Sequence, residues 1–394
     1  MCKNVIYLQY IINEKVIGMK VVVAIDSFKG SLSSLQAGNA VKEAIWRLDG
    51  NAEVLVKPLA DGGEGTVEAL AETSNAEMVE IEVNGPLMKP VIAKYCIFKD
   101  TNTAVIEMAA ASGITLISDE DRNPLETTTF GVGELIKDAI NRGCRRFIVG
   151  IGGSATNDGG TGMLAALGYE FLDIHDKPIM LGAKGLASLH SIKTDNVMPE
   201  LKDCEFNIAC DVTNPLCGEK GCSAVYGPQK GATPEMIQDM DYWLDRYAAL
   251  AKKVSSKADK DCAGAGAAGG LGFAFLSFTN ATLKSGIQII LDEINIETDI
   301  KNADIVVTGE GRLDSQTVQG KAPIGVAKLA KKYGKKVIAF SGCVTDDAVV
   351  CNEHGIDAFF PVVRGVTTLE EALNTDNAYK NLSATAYQVF RLLI

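Results

Sequence analysis

Histidine, paired cysteine and positive charge are all scarce in this 394-residue chain, and each shortage removes a class of function. Of the three histidines, His175, His190 and His354, none sits in a chemical constellation, and all read as structural or solvated side chains. The ten cysteines are scattered from Cys2 to Cys351 without a Cys-x-x-Cys pair, and no signal peptide points to an oxidising compartment. They read as free thiols of a reducing cytoplasm. Cys204, Cys210, Cys217 and Cys222 lie close in sequence, but their spacings match no zinc knuckle.

Lysine and arginine number 38 against 50 aspartates and glutamates, a net charge of -12. That balance opposes binding to a nucleic-acid backbone, whereas a small anion needs only a few local cations and amides. No apolar run reaches membrane-spanning length, and Val5-Ile6-Tyr7-Leu8 is stopped at once by Gln9. Residues 1–18 therefore read as neither anchor nor signal. Met19, directly before the first good strand, suggests a later start and a dispensable or non-native extension. Also missing is Gly-x-x-x-x-Gly-Lys-Ser/Thr, since Gly320-Lys321 is followed by Ala322, and with it the ordinary P-loop. Protein-kinase signatures are absent too.

What is present is the grammar of an α/β protein, and the length favours two domains. Lys20–Ile25 is a buried-type strand that ends in Asp26-Ser27-Phe28-Lys29-Gly30-Ser31, and Ser33 with Gln36 forms a capping box for the helix that follows. A second strand at 53–57 leads to Asp61-Gly62-Gly63-Glu64. From residue 76 the pattern changes to short alternating strands with tight turns, the mark of antiparallel hairpins. Helices are expected near 133–142, 234–254 and 287–294, and Gly264–Gly272 reads as a flexible stretch. At Ala303–Thr308 the first pattern returns: strand, loop Gly309-Glu310-Gly311-Arg312-Leu313-Asp314, helix, strand, helix, strand, and two last helices. The simplest topology is a doubly wound parallel sheet built from 19–75 and 286–394, interrupted by a mixed α/β domain at 76–285.

In an open parallel sheet, ligands bind beyond the carboxyl ends of the strands, and a cleft between domains is the default site. Ser27, Lys29, Asp61, Glu64, Arg312 and Asp314 all follow such strand ends. In the insert, Gly150–Gly162 (GIGGSATNDGGTG) follows the apolar run Phe147–Val149 and precedes a helix, a combination that seats phosphate on backbone amides. Two dinucleotide fingerprints compete with that reading. Gly150-x-Gly152-x-x-Ala155 has Glu170 at a suitable distance, and Gly264-x-Gly266-x-x-Gly269 fits as letters but follows no strand. They keep a nicotinamide-dependent hydroxy-acid dehydrogenase as a rival, beside a non-catalytic sensor of small acids. Tyr226 and Phe273 read as packing residues and not as a shelf for an adenine ring.

Taken together the blocks resemble the bacterial type I glycerate kinases. They are DSFKGS at 26–31, ADGGEGT at 60–66, GIGGSATNDGG at 150–160, CDVTNPLCG at 210–218, GAAGGLG at 266–272, TGEGRLDSQT at 308–317 and GKAPIGVA at 320–327. The resemblance runs from about Met19 to the C-terminus. It implies a flavodoxin-like domain with a second inserted α/β domain, and ATP-dependent phosphorylation of D-glycerate with Mg2+. The family's usual product is 2-phosphoglycerate, with 3-phosphoglycerate as the alternative. On these terms the amides of Gly152, Gly153, Ser154, Ala155 and Thr156, with Asn157, are expected to hold phosphate, and Asp158 or Asp211 to support magnesium. Lys29 and Arg312 are expected to neutralise phosphate and the glycerate carboxylate, with Ser27 and Glu64 lining the substrate. Asp61 or Asp314 is expected to orient or deprotonate the acceptor hydroxyl. Asp26, Asp61 and Asp158 have a plainer alternative as turn and helix caps, and Lys29 and Arg312 as surface charges. The partners expected are ATP and glycerate, with no nucleic acid or membrane, for a monomer or homodimer.

Overall fold

The computed structural model describes residues 18–59, 66–71 and 76–394. Asp61 and Glu64 lie outside these residues. The described residues fall into two compact units, within Met1–Leu59 together with Ile294–Ile394, and within Ala60–Glu293. Among them no helix is long and apolar enough to cross a membrane.

Strand β1 (Lys20–Ile25) is buried from Val21 onward, as its run of β-branched residues requires. The helix Ser34–Trp46 opens on the expected capping box: the Gln36 amide donates to the Ser33 hydroxyl at 3.2 Å, and the Ser33 amide to the Gln36 side chain at 2.9 Å. Its apolar face, Ala37, Ala40, Val41, Ala44 and Ile45, is wholly buried. Strand β2 (Glu53–Val56) follows. The Ser34 hydroxyl donates to the Ile25 carbonyl and accepts from the Leu59 amide, which ties the ends of both strands together.

In the second unit β3 (Ala76–Asn84) and β4 (Pro90–Phe98) form the expected hairpin, and β5 (Thr103–Glu107) pairs antiparallel with β4. The helix Phe130–Asn141 then carries the chain to β6 (Arg146–Gly150), parallel to β5. After the small ribbon β7 (Glu170–Leu172) and β8 (Ser191–Lys193) come β9 (Glu205–Ala209) and β10 (Ala281–Lys284). The sheet order is β10-β9-β6-β5-β4-β3. Its core stacks Phe147 on Phe206 at 4.7 Å, with Phe275 tilted against Phe206 at 5.5 Å. Each such buried ring contributes about 1.5–3 kcal/mol.

The chain then returns to the first unit with β11 (Ile305–Leu313), β12 (Lys336–Val344) and β13 (Ala358–Pro361). All five strands are parallel in the order β13-β12-β11-β1-β2. Counted within the unit this is 2-1-3-4-5, the flavodoxin-like winding, and its switch point lies between β1 and β11. One expectation is corrected here. Glu310, Gly311 and Arg312 are not loop residues but belong to β11, with Glu310 opposite Ser341 and Arg312 opposite Cys343 on β12. Gly309 permits this, because a side chain there would meet the Phe340 carbonyl at 2.0 Å.

The stretch Gly264–Gly272 is also unlike its expectation. It runs into the helix Ala267–Phe278, which carries a left-handed kink at Ala268, Gly269 and Gly270. Gly269 and Gly270 are buried, and their lack of side chains lets two backbones touch: a Cβ on Gly269 would lie 2.0 Å from the Thr156 carbonyl, and one on Gly270 2.7 Å from the Gly159 Cα. The Gly159 amide donates to the Gly269 carbonyl across the same contact at 2.9 Å. Here glycine provides close approach, not flexibility.

Candidate functional site

Gly150–Gly162 leaves β6 at its carboxyl end and turns at once. The Gly153 carbonyl accepts from the Ile114 amide and the Ala155 amide donates to the Ser112 carbonyl, both at 2.9 Å, which pins the loop to the segment after β5. Gly152 and Gly153 face outward, and Gly153 takes a φ of +72° that favours glycine. Beyond Ser154 the chain dives into the core, and Ala155, Thr156, Asn157 and Asp158 are buried.

This inward turn divides the expected phosphate seat. Gly152, Gly153 and Ser154 line a cavity of about 300 Å³ together with the polar side chains of Asp211, Gln229 and Lys230. Ile114, Ile151, Val212, Tyr226, Ala267 and Ala268 add apolar lining. Tyr226 therefore lines the cavity, whereas Phe273 is a buried core residue as expected. The Ala155 amide is already committed, Thr156 is enclosed, and the Asn157 amide group donates to the Ser223 hydroxyl at 2.8 Å. These three shape the loop from behind. The dinucleotide fingerprints fare worse. The helix after Gly150-x-Gly152 begins only at Thr161, and the Gly264 series enters its helix through a kink and not from a strand.

Asp158, one of the two carboxylates expected to support magnesium, is enclosed in the core. Its carboxylate is fully buried and accepts from the Thr128 and Thr129 hydroxyls and from the Thr129, Gly160 and Gly162 amides, at 2.8–3.3 Å. Burial pushes its pKa up, and the donors of Thr129, Gly160 and Gly162 pull it back. Five donors use the acceptor capacity of the carboxylate, which acts as the anchor of the glycine loop. Asp211 differs: it is exposed on the cavity wall, and its Oδ1 accepts from the Gly286 amide at 3.2 Å. Among the described residues no three His, Cys, Asp or Glu side chains converge on one point. Magnesium carried by a nucleotide needs only one or two protein carboxylates beside the phosphates, which suits Asp211.

Lys230 was not legible as a site residue. It ends the turn Pro228–Lys230, is only 2% exposed, and donates through Nζ to the Ser154 hydroxyl at 2.8 Å and the Thr156 carbonyl at 2.6 Å. Burial lowers its pKa to about 8, against the opposing pull of Cys222 and Asp158. Burial pushes the neighbouring Cys222 thiol the other way, up to about 11.

In the flavodoxin-like unit four of the expected residues, Ser27, Lys29, Arg312 and Asp314, lie at or just beyond the carboxyl ends of β1 and β11, beside the switch point, while Asp61 and Glu64 lie outside the described residues. The loop after β1 is a tight turn in which Phe28 and Leu32 exchange backbone hydrogen bonds at 2.9 and 3.1 Å, with Lys29 exposed at its tip. The Asp26 amide donates to the Gly309 carbonyl at 2.9 Å, and the Ser27 amide to the Asp26 carboxylate at 2.6 Å. A side chain on Gly311 would meet the Lys29 amide at 3.3 Å, so the loop after β1 neighbours the end of β11. Arg312 is two-thirds exposed and pairs with the mostly buried Asp314 at 3.2 Å.

Two further residues join this group. Glu310, on β11, accepts from the Thr317 hydroxyl at 2.7 Å and lies 3.4 Å from Lys321 Nζ, which is also 3.9 Å from Asp314. Burial pushes the Glu310 pKa up, and Thr317 and Lys321 offset part of that rise. Both lie in readable sequence, Glu310 inside TGEGRLDSQT and Lys321 beside Gly320, but their pairing depends on the fold that brings β11 and the turn at Thr317–Gln319 together.

A family model described as the glycerate kinase family matches residues 21–394. The chain is 48% identical over 375 residues to a glycerate kinase of Haemophilus influenzae, covering 95% of this chain and 99% of that protein. It is 47% identical over 372 residues to the glycerate 2-kinase of Escherichia coli, covering 93% and 98%. A crystal structure assigned to glycerate kinase 2 of Salmonella typhimurium LT2 superimposes with a TM-score of 0.89 at 47% identity, over 95% of this chain and 98% of that one.

Proposed function

The chain belongs to the glycerate kinase family, and from that premise we propose that it transfers the terminal phosphoryl group of ATP to the 2-hydroxyl of D-glycerate. The product is then 2-phosphoglycerate, as the name of the Escherichia coli relative suggests.

The observation that carries the placement of the nucleotide is the cavity of the second unit. Its lining combines an outward-facing glycine turn at Gly152–Ser154 with apolar side chains, Val212 and Tyr226 among them. A nucleotide makes the same two demands, phosphates to be held and a flat ring to be covered. The amides of a turn at a strand end suit the phosphates, and Asp211 would hold the magnesium that accompanies them. That ion supplies neutralisation of the charge developing on the transferred group.

In the flavodoxin-like unit Lys29 and Arg312 supply positive charge for the glycerate carboxylate, with Ser27 beside them. Asp314, held by Arg312 and Lys321, or Asp61, takes the proton of the reacting hydroxyl, and Glu64 is proposed as a substrate contact. Little covalent chemistry is asked of the protein in phosphoryl transfer, so positioning and charge neutralisation are its main tasks.

The test is ADP release from ATP and Mg2+ with and without D-glycerate. Strictly glycerate-dependent ADP formation is expected. A nicotinamide-dependent absorbance change with glycerate in the absence of ATP would contradict the proposal.

A further inference from the structure

Resting on the nucleotide placement above, we propose that Lys230 reads the phosphates of the bound nucleotide: its ammonium supplies the positive charge of the cavity and donates to a phosphate oxygen while holding the glycine loop in shape. Among the described residues that line the cavity, it is the only cation.

A lysine so deeply buried is ordinarily matched by a carboxylate. Among the described residues none lies within ion-pair distance of Lys230. Its two hydrogen-bond partners, the Ser154 hydroxyl and the Thr156 carbonyl, are neutral. Asp158, a buried carboxylate whose charge acts on the ammonium, is spent on Thr128, Thr129, Gly160 and Gly162. An ammonium has three N–H groups, so one is left after Ser154 and Thr156 are served. The residue's position makes that donor useful, because Ser154 and Gly153 on the same wall form the turn proposed to seat phosphate.

The backbone commits Lys230 to this place. Gly231 takes a φ of +93°, and a side chain on it would strike the Arg122 carbonyl at 2.2 Å, so the turn that drives Lys230 inward is fixed by packing. The ionisable groups around the ammonium are Asp158 and Cys222 from within the unit, with Asp211 and Tyr226 on the cavity wall. Only a ligand anion adds negative charge to that set. With the lysine partly neutral above about pH 8, an arriving phosphate recharges it and binding takes up a proton.

The first experiment needs no variant. Calorimetry of a non-hydrolysable ATP analogue with Mg2+ at about pH 9, in buffers of different ionisation enthalpy, should report uptake of roughly half to one proton, and adenosine should report none. In the second, Lys230→Met should raise the KM for ATP by about 30-fold or more and leave the KM for glycerate within about threefold, with Lys230→Arg recovering part of the loss. A folded Lys230→Met protein that binds the analogue as tightly as the wild type, together with no proton uptake by the wild type, would overturn the assignment. Hydrogen exchange separates this from failure of the nucleotide placement: if the analogue binds but leaves the Gly152–Ser154 amides unprotected, the cavity is not the nucleotide site and the assignment falls with it.

Discussion

Thr129 holds Asp158 twice over, with its backbone N–H 2.8 Å and its hydroxyl 3.0 Å from the same carboxylate oxygen. Both groups are buried, and the Thr129 hydroxyl in turn accepts from the Met163 amide at 2.9 Å. The contact fastens the end of the glycine loop to the start of the helix Phe130–Asn141, so the carboxylate serves architecture.

It follows that Asp158→Asn should damage stability rather than metal use. The new amide would point N–H groups at the donors of Thr129 or Gly160, a cost of about 2 kcal/mol or more in urea unfolding. The magnesium dependence of the residual activity should match that of the wild type. For Asp211→Asn the reverse is expected: unchanged unfolding and a raised magnesium requirement. Swapped outcomes would restore Asp158 as the metal residue.

The interlock of the two glycine segments predicts a contrast between two alanines. Gly269→Ala combines a φ of +65° with a Cβ 2.0 Å from the Thr156 carbonyl, so a loss of about 3 kcal/mol or more is expected. Gly152→Ala has nothing within 4 Å and should leave unfolding unchanged. Its methyl group would project beside the proposed phosphate seat and raise the KM for ATP. Equal stability for the two variants would contradict the packing described.

Burial of Lys230 has a signature in stability against pH. Its pKa falls from 10.5 in the unfolded chain to about 8 when folded, so the charged form is disfavoured by folding. The resulting cost, about 3 kcal/mol, is fully present below about pH 8 and is relieved as pH rises toward the unfolded value. Relative to Lys230→Met, the wild type should therefore gain stability between about pH 8 and pH 10.5, measured by denaturant unfolding of both proteins. Parallel curves would show that the lysine is not buried as described.

Arg312 and Lys29 should behave as functional charges. Arg312 is two-thirds exposed, and its ion pair to Asp314, its only one among the described residues, is of the kind worth about 1 kcal/mol or less. Arg312→Ala and Lys29→Ala are thus expected to unfold like the wild type while turnover falls by about a hundredfold or more. Near-normal turnover would remove them from the site.

Local signals in the sequence were reliable where local physics decides the structure. The Ser33–Gln36 box, the Pro234–Val254 helix, the hairpins after residue 76 and the return to parallel strands near residue 305 are all set by neighbours in the chain. What was hidden depends on distant partners. Gly264–Gly272 has the composition of a flexible linker, and its close packing against Thr156, Gly159 and Pro215 comes from distant parts of the chain. Lys230, between Pro228 and Gly231, looks like a surface turn until the second unit closes around it. Glu310 and Arg312 read as loop because ladder pairing with β12 outweighs their poor strand propensity.

The central claim is the reaction, and phosphorus NMR of the product tests it most directly. The purified protein with ATP, Mg2+ and D-glycerate should give a glycerate-dependent phosphate ester whose phosphorus couples to the single proton on C2. A resonance coupled to the two C3 protons would contradict the assigned hydroxyl, and no glycerate-dependent ester at all would contradict the kinase assignment itself.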